Sequence, residues 1–169
     1  MLTELVNRVY SVDTGENSRL TLRYDMKALL ALEQRGHSYK DIFADEISGR
    51  ALCDFLECGA AEKLPDTPIS LLSRFGAEKL WKYCREAMLL ALPEYDPAII
   101  ELPTDTNKPV DFRRLMCLIC DVMKKPDEFF WRSTLRELIP RWQEYAEFKG
   151  YAKKPERMEM YDTEGMENA

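Results

Sequence analysis

Hydrophobic positions along the chain change period once, near Asp25, and that change divides the sequence. Before it, Ser18 to Tyr24 alternates Leu20, Leu22 and Tyr24 with Arg19, Thr21 and Arg23. Strict alternation puts apolar side chains on one face of a strand. Arg8 to Asp13 supplies a second arm, and Thr14-Gly15-Glu16-Asn17 between them is rich in turn formers. A β-hairpin over about 8–24 is expected, docked on the helices that follow, because an isolated hairpin is marginal in water.

From Asp25 onward the spacing is helical. Asp25 suits an N-cap for a helix carrying Met26, Leu29, Leu30 and Glu33, with Gly36 as its stop. Ser38 to Asp41 resembles a capping box opening a short helix with Ile42 and Phe43. Ser48 starts a helix with the stripe Ala51, Leu52, Phe55 and Leu56, ending at Gly59. Thr67 before Pro68 begins another through Leu71, Leu72 and Phe75 to Gly76. The clearest amphipathic segment is Ala77 to Leu92, with Leu80, Cys84, Ala87, Met88 and Ala91 on one face. Glu78, Lys79, Lys82, Arg85 and Glu86 form its other face.

Prolines 93, 97, 103 and 109 then exclude a continuous helix and mark a connection over 93–109. Val110 to Lys124 is apolar nearly all round, which predicts a helix central to the core. Pro126 to Trp131 reads as a short helical turn. Thr134-Leu-Arg-Glu137 is a capping box opening a helix with Leu135, Leu138, Ile139 and Trp142, kinked at Pro140. Beyond Gly150 the apolar pattern stops, and 151–169 reads as an acidic polar tail. The expected fold is mainly α, a compact helical domain over 1–150 with helices in 25–92 and 110–150 and a small N-terminal hairpin.

Composition narrows the chemistry. Among 169 residues, acids outnumber bases 30 to 24 and the basic residues form no run. That argues against nucleic acid, which is bound through clustered Lys and Arg, and against an anionic membrane surface. No apolar stretch reaches the roughly 20 residues needed to cross a bilayer. The segment MLTELVNRVYSV lacks the layout of a secretory leader, so a cytoplasmic protein is expected. Five cysteines in apolar helical sequence suit reduced thiols better than a disulfide framework.

Catalytic devices are hard to find. Cys117-Leu-Ile-Cys120 has dithiol spacing but lies within an apolar helix, and with a single histidine, His37, no zinc set is complete. No nucleophile–base pair and no glycine-rich phosphate loop stands out. No catalytic, cofactor or metal residues are assigned. The cluster Phe129-Phe130-Trp131, followed by Trp142, Tyr145, Phe148 and Tyr151, is the one anomaly. Three adjacent aromatics on a short turn cannot all face one core, so the choice lies between a core lid and a contact surface.

The order of segments resembles the tail assembly chaperones of long-tailed bacteriophages and prophages. The matching pieces are the strand and helix of Leu20 to Glu33, the Gly36-His-Ser38 turn and the apolar helix Leu52 to Gly59. Ala87 to Pro93 and the Pro-acidic-aromatic turn with its helix, Pro126 to Leu138, complete the set. The Pro-rich connection and the acidic extension depart from the pattern. The resemblance implies a protein of the host bacterial cytoplasm, absent from the mature virion. It would bind the tape measure protein and help recruit tail tube protein without catalysis; a homo-oligomer is compatible with it. Phe129, Phe130, Trp131 and Trp142 are the expected partner contacts. The alternative is a structural virion component such as a tail connector or completion protein.

Overall fold

A computed structural model describes residues 9–15, 18–44, 46–93 and 110–151. The Pro-rich connection beyond Pro93, the acidic tail beyond Tyr151 and the hairpin turn at 16–17 lie outside the described residues.

The fold is mainly α with a small N-terminal antiparallel hairpin, as the change of period requires. Strand β1 (Tyr10–Gly15) pairs with β2 (Ser18–Leu22) so that Tyr10 faces Leu22 and Val12 faces Leu20. Thr14 and Gly15, expected in the turn, belong to β1, and the register shifts between Asp13 and Gly15. Gly15 takes φ 82°, in the left-handed region a side chain disfavours. Leu20, Leu22 and Tyr24 are fully buried, and Arg19 on the opposite face is exposed.

Helix α1 (Met26–Gln34) starts where the Asp25 carboxylate accepts from the Ala28 N–H at 2.9 Å. A 3₁₀ turn, Tyr39–Phe43, follows and is opened by the Ser38–Asp41 box. Helix α2 (Gly49–Gly59) is capped by Ser48, and α3 (Pro68–Phe75) by Thr67. Helix α4 (Ala77–Ala91) buries the five stripe residues and also Trp81, which meets Phe55 edge-on with centroids 5.2 Å apart.

Residues just past α2 close the sheet. Ala60 bridges Leu22, the Arg23 N–H donates to the Gly59 carbonyl at 2.7 Å, and the Ala61 N–H donates to Thr21 at 3.0 Å. The hairpin is thereby stabilised by a third, two-residue partner. Gly59 does more than end α2: a Cβ there would stand 2.5 Å from the Tyr24 ring. The Tyr24 hydroxyl donates to the Phe55 carbonyl at 2.9 Å, so the ring is held in place.

The second half departs from expectation. Val110 to Lys124 is neither one regular helix nor central. Helix α5 (Phe112–Met116) passes into a π-helical turn, Cys117–Val122, and Ile119 is the segment's sole buried residue. An apolar segment becomes central only when neighbours cover every side. Here the π turn packs against the helices that follow, while Arg113, Arg114, Cys117 and Asp121 are exposed. Those helices are α6 (Asp127–Arg132) and α7 (Leu135–Phe148). Helix α7 runs on through Pro140, whose missing N–H costs one helical bond.

Long-range ties bind the halves. The Met26 N–H donates to the Ser133 carbonyl at 2.9 Å, and Arg136 donates to the Leu89 carbonyl near the end of α4 at 3.0 Å. Tyr24, Phe55 and Phe130 are the largest fully buried side chains, and one apolar cluster runs from the hairpin to α7.

Candidate functional site

Helix α6 follows Pro126, carries Asp127 and Glu128 in its first turn and Arg132 in its last, each suited to the local helix dipole. Successive residues on a helix point about 100° apart, so Phe129, Phe130 and Trp131 must diverge. Phe130 turns inward and is fully buried. It is a core residue, which corrects its assignment as a partner contact: desolvated on all sides, it has no surface to offer. Trp131 meets it edge-on at 4.9 Å and stays half-buried. Phe129 is half-buried on the other shoulder, with the Arg141 guanidinium 5.0 Å and the Lys125 ammonium 6.0 Å from its ring centre.

Helix α7 carries further aromatics. Trp142 stacks on Tyr145 with centroids 6.0 Å apart, and Lys149 lies over both Tyr145 and Phe148. Phe148 is 84% exposed and Tyr151 67%. Phe148 and Tyr151 were not among the expected contacts: three-residue spacing turns each successive side chain about 60° round a helix, which sets Phe148 about 120° from Trp142, and Tyr151 follows the end of α7. Phe129, Trp131 and Trp142 are thus half-buried, Phe148 and Tyr151 are exposed, and Phe130 is enclosed.

Phe129 also borders an open groove of about 1120 Å³ between α6–α7 and α1–α2. Its lining includes small residues Ala28, Ala31, Ala60 and Ala61 and a mixed set of charges. Most of those charges are paired. Arg23 donates to Glu137 at 3.1 Å and to the Arg132 carbonyl at 2.9 Å, Arg132 meets Glu128 at 3.1 Å, and Arg35 meets Glu57 at 2.7 Å. Burial raises the Asp25 carboxyl above its ordinary range, opposed by the Ala28 N–H it caps.

The candidates for chemistry are dispersed. The His37 Nε2 lies 3.0 Å from Asp54, whose other oxygen accepts from Arg35 at 2.6 Å. Hydrogen bonds from His37 and then Arg35 hold the Asp54 carboxyl below the usual carboxylate range. These contacts fasten the end of α1 to α2. Cys117 is exposed; Cys120 is half-buried, and desolvation followed by nearby Asp127 raises its thiol pKa, which leaves less thiolate for attack or metal ligation. Burial pushes Cys84 to about 12. Among the described residues no group of three His, Cys, Asp or Glu could hold a metal ion, and no helix is long and apolar enough to cross a membrane. The chain matches no protein-family model, no curated protein and no solved structure.

Proposed function

We propose that this chain is a tail assembly chaperone of a long-tailed bacteriophage, working by reversible binding of apolar helical segments of the tape measure protein. The observation that carries the reading is the set of accessible aromatics on α6, on α7 and just past it: Phe129, Trp131 and Trp142 half-buried, Phe148 and Tyr151 largely exposed. Rigid aromatic side chains of this kind make strong contact with a partner helix at little entropic cost. The order of segments from Leu20 to Leu138, which resembles that family, supplies the identity of the client. Recruitment of tail tube protein follows from the same resemblance.

Co-expression with the tape measure protein from the same genome tests the proposal. The client is expected to move from the insoluble to the soluble fraction with this chain bound. An insoluble client, or this chain recovered in purified particles, overturns it; the second outcome instead supports a structural virion component.

A further inference from the structure

We propose that residues 110–123 form a detachable arm that occupies a docking seat for an apolar helix on α6 and α7. The clause about the partner rests on the chaperone reading; the existence of the arm does not. The segment carries Phe112, Leu115, Met116, Leu118, Ile119, Val122 and Met123, yet Ile119 alone is fully buried. Helix α4, of comparable length, buries six side chains. Beyond Ile119, Phe112, Leu115, Met116 and Met123 pack against the core only half-buried, a weaker anchoring than that of α4, which puts the segment toward the low end of local stability.

Its backbone points the same way. The turn Cys117–Val122 has π-type hydrogen bonding, a rare geometry often found at functional positions. It closes with the Met123 N–H donating to the Leu118 carbonyl and the Lys125 N–H to the Ile119 carbonyl. Lys124 between them sits at φ 58°, the sole non-glycine positive φ among the described residues. A left-handed non-glycine residue relaxes when the segment is released.

The polar fastenings are peripheral. The Val110 N–H donates to the Glu33 carboxylate at 3.0 Å, and the Tyr145 hydroxyl donates to the Val122 carbonyl at 3.2 Å. All four groups are only part-buried, so water can replace each bond when the arm lifts. Lifting it uncovers the slot filled by Ile119 and frees the Tyr145 hydroxyl on α7 from the Val122 carbonyl. What the seat accepts is visible in what now fills it: a short helix rich in Leu, Ile, Met and Phe. The arm is then an internal stand-in for the client, covering the seat until a competing helix displaces it.

Hydrogen exchange on the intact chain tests the arm without any client. Amides of 115–123 are expected to exchange on the order of 100-fold faster than those of α2 and α4, by an opening insensitive to low denaturant. Exchange only through the slow global opening shared with α4 overturns the proposal. Ile119→Asn should raise binding of an apolar dye while leaving α2 and α4 protected, with Ile119→Ala intermediate. A synthetic peptide of residues 111–124 should reverse that dye binding. Collapse of α4 protection in Ile119→Ala, or dye binding unaffected by the peptide, overturns it. A failure to solubilise the tape measure protein with these results intact removes the client and leaves the arm.

Discussion

Helix α4 and the segment 110–123 have similar lengths and similarly apolar sequences, but opposite fates. Helix α4 interleaves its apolar stripe with Glu78, Lys79, Lys82 and Arg85, and lies between the hairpin, α2, α3 and α7. The arm has fewer polar positions and is supported mainly by α6 and α7. Similar apolar content has not given similar burial. Burial is decided by how many neighbours a segment acquires, and a periodic stripe guides assembly of those neighbours better than uniform hydrophobicity. An apolar segment left half-exposed is a candidate for exchange with another chain.

Truncation should separate the core from this outer layer. Phe130→Ala empties a fully buried site and is expected to cost about 3–5 kcal/mol in denaturant melts. Phe129→Ala, one residue away but half-buried, should cost about 1.5 kcal/mol or less, mainly in cation–π contact and partial burial. Equal losses at the two positions would mean that the aromatic turn is one packed unit.

Gly59→Ala probes the body by overpacking. The new Cβ meets a Tyr24 ring fixed by its bond to Phe55, so a loss of about 1–3 kcal/mol is expected in the same melts. Tyr24→Leu in the Gly59→Ala background should recover part of it, because the ring atoms in conflict are gone.

The pH response sets the α1–α2 contact apart from the arm. His37 and Arg35 depress the Asp54 carboxyl, so its contribution to stability is present above the ordinary carboxylate pKa. It is lost as pH falls through the lowered folded value. Thermal melts from pH 6 downward should therefore show a smaller acid-induced drop for Asp54→Asn than for the unaltered chain, an effect reduced by salt because the groups are partly exposed.

The smallest effect on stability should come from Phe148→Ser, within about 0.5 kcal/mol because the ring is already in water. Co-purification with the tape measure protein should nevertheless fall. Unchanged co-purification would move the contact surface away from the end of α7.

Local chemistry was legible in the sequence. Asp25, Ser38, Ser48 and Thr67 start helices because each side-chain oxygen accepts from a free N–H within its own first turn. Leu20, Leu22 and Tyr24 share a face because a strand alternates, whatever it packs on. Long-range placement was not legible. Nothing local pairs residues 59–61 with β2, brings Gly59 against Tyr24, or turns Phe130 inward while Phe129 and Trp131 stay outside. Nor does local pattern distinguish a central apolar helix from a peripheral arm at 110–123. Caps and periodicity depend on neighbours a few residues away, and the chain specifies those directly; burial depends on segments tens of residues distant, which only the assembled fold brings into contact.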